Sequence, residues 1–122
     1  MTVPRWAPPL IWAGVILILT SIPNPSVPRS LASMDKLVHF ALYAGLGFLL
    51  ARAVLHQGPV WRVLLVSIVI ASGGAALDEW HQQFIPGRSM DIADWRADAA
   101  GAIVGACLAV IARRRPAFAN QT

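Results

Sequence analysis

The residues able to do acid–base, metal or phosphate chemistry gather in one stretch, DEWHQQFIPGRSMDIADWRADAAGAIVG, from Asp78 to Gly105. It holds five of the chain's six acidic residues, two of its ten basic ones and one of its three histidines. Asp91, Asp94 and Asp98 are spaced i, i+3, i+7, so a helix through them carries all three on one face, and Gly101 and Gly105 continue that face. Earlier in the chain, Asp35, His39, Tyr43 and Gly47 recur every four residues and share a second stripe. A third stripe, Ser67, Ala71, Gly74 and Asp78, is small-residued and ends in an acid. Small residues let helices approach closely in a bilayer, so this stripe is expected to face inward and to aim Asp78 at the interior.

Several chemistries are open to such a set. Asp78, Arg88 and Asp94 could pair as a purely structural polar network. Hard divalent cations take oxygen ligands, and Asp78, Glu79, Asp91 and Asp94 supply them, with Asp98 close by; the spacing matches no specific metal motif. A guanidinium such as Arg88 binds phosphate in bidentate fashion, and at a membrane surface the available anion is a lipid head group or a lipid-linked phosphate. Lys36 and His39 would join Arg88 there. The acids Asp35, Asp78, Glu79, Asp91, Asp94 and Asp98, with Tyr43, His81 and Gln82, form the polar network around those cations. An enzymatic version makes His39 or Glu79 the general acid or base. A transporter version makes Asp98 and Asp78 an intramembrane relay. Among these the residues do not decide whether the protein is an enzyme. Glycine-rich phosphate loops, nucleophile elbows and HExxH patterns are missing from the sequence.

The elements that must position these groups are apolar. Hydrophobic residues make up 57% of the chain, against about 45–50% for soluble domains over a similar residue set. Charged residues are 13%, roughly half the usual quarter. Mean hydropathy is +0.59. A soluble fold of this size needs more polar surface, so the chain reads as an all-α, polytopic integral membrane bundle. Four spans are expected, at about 6–22, 37–55, 60–78 and 92–112, in a single domain over 1–116. Pro23 to Pro28 breaks the helix between the first two, and 117–122 is expected to be a disordered tail. Arg5 before the first run also fits a signal peptide, but no convincing small-x-small cleavage site precedes Asp35, so an uncleaved span is expected. Gly101 and Gly105 form a GxxxG pair, a close-packing signal.

Charge distribution sets the expected orientation. The sequence pI near 10.7 suggests nucleic acid, but the basic residues are scattered at the ends of apolar runs rather than along a groove, so no nucleic-acid partner is expected. Four spans place six basic residues beside the termini and the 56–60 turn, and four at the opposite side. Both termini are therefore expected in the cytoplasm, with the acid-rich loop on the outer face of the cytoplasmic membrane. Trp6 and Trp61 are expected at the inner interface and Trp80 and Trp95 at the outer one. Membrane lipids are the expected partners, and the oligomeric state is open. The lone Cys107 excludes an intramolecular disulfide and packs as a small hydrophobe.

Two motifs carry a resemblance. Asp35-Lys36-x-x-His39-Phe40-x-x-Tyr43, followed by Asp78-Glu79-x-His81-Gln82-x-Phe84-x-Pro86-Gly87-Arg88-x-x-Asp91-x-x-Asp94-x-x-x-Asp98-x-x-Gly101, resembles the VanZ-like membrane protein family over about residues 10–112. The family pattern carries Asn where this chain has Asp98, which adds a charge here. The resemblance implies a small polytopic helical membrane protein; a bacterial cell-envelope role, binding or handling an anionic lipid or cell-wall precursor head group, is the reading that the convergence of both motifs on one interface favours. The family's namesake is associated with resistance to the glycopeptide teicoplanin, so a link to antibiotic resistance is an expectation by resemblance alone.

Overall fold

In the computed structural model, residues 3–23, 32–88 and 90–114 are described, with the side chains of 32, 33 and 114 excepted. The expected 24–28 linker and 117–122 tail lie outside them, apart from Pro23 at the linker's start. Among the described residues all regular structure is helical: α1 (Ala7–Ser21), α2 (Ala32–Val54), α3 (Val60–Gln82) and α4 (Ile92–Arg114). Long apolar runs become helices because a bilayer offers no partner for backbone N–H and C=O groups, and a helix satisfies them internally.

Local chemistry places the ends. Pro8 and Pro9 sit in the first turn of α1, where a missing N–H removes no helical bond. Ile22 leaves α1 in an extended conformation, as the residue before a proline tends to. Pro59 stands just before α3. In the α3–α4 loop Gly87 has φ 78°, a left-handed conformation that a Cβ would strain. Met34–Val54, Val60–Gln82 and Ile92–Arg113 are long and apolar enough to cross a membrane. The first helix is shorter than the 6–22 expected. At 15 residues it is about 22 Å long, short of the roughly 30 Å hydrocarbon core. The second begins earlier than expected, at Ala32, and Asp35 falls in its first turn rather than at its opening. A carboxylate is favourable at either place, because the N-terminal end of the helix dipole is positive.

Helices α2 and α4 form the tightest pair. A Cβ on Gly101 would run into the carbonyl oxygen of Phe40 and lie 3.0 Å from its carbonyl carbon. Gly105 meets the Ala44 carbonyl in the same way, and Gly47 on α2 meets that of Ala102. Helix α3 packs on both, and α1 lies against α2 and α3. The Trp12 indole N–H of α1 donates to the Leu42 carbonyl at 2.8 Å. That of Trp95 donates to the Ser72 carbonyl of α3 at 3.0 Å, so Trp95 bridges α4 and α3.

The bundle buries polar groups beside its apolar core and exposes apolar side chains. Its buried set includes Thr20, His39, Ser67, Asp78, Glu79, Gln82, Asp94 and Asp98, while Leu10, Ile18, Leu37, Val69, Leu77 and Ile111 are exposed. Lipid tails solvate such an exterior, and water would not. The α3 stripe departs from expectation at one position. Ser67, Ala71 and Asp78 are buried as expected, but Gly74 is exposed and Ala75 takes the inward place.

Candidate functional site

All four helices bring polar groups to one end of the bundle. These are the last turn of α1, the first turns of α2, the last turns of α3, the α3–α4 loop and the start of α4. Asp91 organises that end. Its Oδ1 accepts the Ala93 N–H at 2.9 Å, and its carbonyl accepts the Asp94 N–H at 3.1 Å, so it caps α4. Its own N–H donates to Glu79 Oε2 at 3.0 Å and ties the loop to α3. The Ala93 N–H, then the Lys36 ammonium, hold the Asp91 carboxyl below its usual range, against some desolvation.

Lys36 bridges two acids of α4's opening. Its Nζ lies 3.0 Å from Asp94 Oδ1 and 3.4 Å from Asp91 Oδ2. One turn deeper, His39 is buried with Nδ1 2.8 Å from Asp98 Oδ1 and Nε2 3.9 Å from Asp35 Oδ2. Asp98 is fully buried, facing α2 because the glycines below it bring the two backbones together. Asp78 sits in a separate arrangement. Its Oδ1 is 2.8 Å from the Thr20 hydroxyl of α1, and its Oδ2 accepts the Tyr43 hydroxyl at 3.4 Å. Thr20 has one proton to give and is also 2.9 Å from the Ile16 carbonyl.

The expected head-group cations are engaged within the protein. Lys36 is paired with Asp91 and Asp94, and His39 with Asp98. Arg88 joins neither; it donates from Nε to the Ile22 carbonyl at 2.8 Å and from Nη2 to the Leu19 carbonyl at 3.4 Å. It thereby satisfies carbonyls at the C-terminal end of α1, where the helix dipole is negative. Among the described residues, Gln82 is buried with Nε2 lacking a partner, and His81 carries a buried Nδ1 lacking one.

The four carboxylates named from sequence for a metal do not form one group. Among the described residues, the sets whose ligand atoms all lie within 4.8 Å of one another are Asp35, His39 and Asp94, and His39, Glu79 and Asp98. Glu79 and Asp94 appear in them; Asp78 and Asp91 do not. Sequence reasoning missed Thr20, an isolated hydroxyl in an apolar run, whose polarity there was the available signal. It also left His39 out of the ligand set, while Asp98, placed close by, does join one.

Two cavities flank this end. One, of about 370 Å³, opens between α1, α2 and α3 and is lined mostly by apolar side chains, with Tyr43, Asp78 and His81 among its walls. The other, of about 490 Å³, lies beside Glu79, Met90, Asp91 and Trp95.

Three spanning-length helices and a shorter apolar one, lipid-facing outside and acidic within at one end, define a small multi-pass membrane protein. The VanZ/LLP1 family matches residues 7–113, nearly the whole of all four helices, and the chain belongs to that family. No curated protein and no solved structure matches the chain.

Proposed function

We propose that this VanZ/LLP1 protein binds an anionic lipid, or a lipid-linked cell-wall precursor, at the polar end of its bundle on the outer face of the cytoplasmic membrane. The supporting observation is the apolar cavity between α1, α2 and α3. Its walls are Ala13, Ile16, Leu17, Leu46 and Leu77 along its length, with Tyr43, Asp78 and His81 among the polar ones. That is the profile of a slot for one hydrocarbon chain whose head group meets polar side chains. The unpartnered Nδ1 of His81 is available to the head group. Arg88, from the α3–α4 loop, keeps its positive charge at the C-terminal end of α1, near Thr20, while it donates to the α1 carbonyls.

Gly74 offers a test that leaves the fold alone. It lines the cavity, and a Cβ there meets nothing within 4 Å. Native mass spectrometry with added phosphatidylglycerol should show lipid retained by the wild type and lost from Gly74→Leu and from Arg88→Ala. Equal retention by all three proteins would sink the proposal.

A further inference from the structure

Beyond lipid binding, we infer that His39, Glu79 and Asp98 form a site for one divalent transition-metal ion, of the zinc or manganese class. The three residues come from α2, α3 and α4, and all are buried. Their ligand atoms lie within 4.8 Å of one another, close enough for a single ion to touch all three.

Each carboxylate has one anchored oxygen and one without a partner. Glu79 Oε2 accepts the Asp91 N–H at 3.0 Å, and Asp98 Oδ1 is held 2.8 Å from His39. Glu79 Oε1 and Asp98 Oδ2 are buried and take no hydrogen bond among the described residues. A buried acceptor left unpaired is costly, and a charged one more so. A cation held between the two carboxylates would offer such oxygens a partner. Lys36 is held by Asp91 and Asp94, and Arg88 by the α1 carbonyls, so His39 is the cationic side chain that faces Asp98, and a metal ion would take the place of its proton.

The donor set selects the ion. One imidazole nitrogen with two carboxylate oxygens and no thiolate suits zinc or manganese better than copper(I) or an iron–sulfur cluster. Calcium and magnesium prefer all-oxygen shells. Three protein ligands leave a coordination position for water or a substrate oxygen. The frame is stiff: Gly101 and Gly105 lock α4 to α2, and the Asp91–Glu79 and Trp95–Ser72 bonds lock α3 to α4. Such anchoring groups orient metal ligands.

The full chain would be purified in detergent, incubated separately with zinc or manganese chloride, desalted, and analysed for metal. One ion per chain is expected. Affinity should fall at least about tenfold in Asp98→Asn and in Glu79→Gln. Asp35→Asn lies outside the set and Gly74→Leu belongs to the lipid slot, so both should keep the ion; the metal inference thus stands or falls apart from lipid binding. Failure of either ion to bind at one per chain, wild-type affinity in both Asp98→Asn and Glu79→Gln, or loss with Asp35→Asn instead would overturn the assignment. Should the buried variants not fold, electron paramagnetic resonance of manganese-loaded wild type decides. Nitrogen hyperfine coupling from His39 is expected, and its absence overturns the site.

Discussion

Asp98 on α4 is fully buried and lies 2.8 Å from the Nδ1 of His39 on α2, three residues before the glycine that meets the Phe40 carbonyl. The acid and the glycine share one helix face. The residue type that lets the helices touch therefore sits directly below the residue whose charge the contact buries. In a soluble protein the acid would turn to water; here the outside is hydrocarbon, and His39 is its nearest polar partner.

The His39–Asp98 pair should be strongly coupled. With chelator present, His39→Ala and Asp98→Ala are each expected to cost about 1–3 kcal/mol, because each leaves a buried polar partner unmatched. The double variant should cost clearly less than the sum, with an interaction energy of roughly 0.5–3 kcal/mol in a denaturation cycle. Additive single effects would mean that the contact contributes nothing.

Glycines in this chain should split into two classes. Gly105→Ala places a Cβ against the Ala44 carbonyl and is expected to destabilise by about 1–3 kcal/mol through forced separation of α2 and α4. Gly73→Ala, on α3 with nothing within 4 Å of the added atom, should be neutral or stabilise by up to about 1 kcal/mol through helix propensity. Thermal melts in detergent read both. If Gly73→Ala harms as much as Gly105→Ala, the close backbone contact is not what the α2–α4 pair depends on.

Acid should loosen the start of α4 through Asp91. Its carboxyl is held below the usual 3.8, first by the Ala93 N–H and then by Lys36. A depressed folded-state pKa contributes stability that is present above the unfolded value and disappears as pH falls through the folded one. Asn keeps the capping geometry but cannot titrate. The difference in melting temperature between wild type and Asp91→Asn should therefore shrink on acidification below about pH 4. A gap that stays constant down to about pH 2 would show that Asp91 gains nothing from its charge.

Much of the architecture was legible before any coordinates. Four apolar runs and their proline and glycine punctuation follow from a short-range rule, that in hydrocarbon the backbone must bond to itself, and with four spans the acids all fall at one end. The face shared by Asp94, Asp98, Gly101 and Gly105 was equally legible, because a period of 3.6 residues sets which side chains align. Periodicity is blunt over about 100°, however, and adjacent positions such as Gly74 and Ala75 both fit an inward stripe. Only the packing of α2 and α4 against α3 decided the rotation that turns Ala75 in and Gly74 out. The same packing put Thr20 against Asp78, sent Arg88 to the carbonyls of α1, and grouped His39 with Glu79 and Asp98. Those partners lie far apart in the chain. Sequence determined which groups share a membrane face, whereas their pairing is set by the axial rotation and depth of each helix, which depend on neighbours that no local pattern encodes.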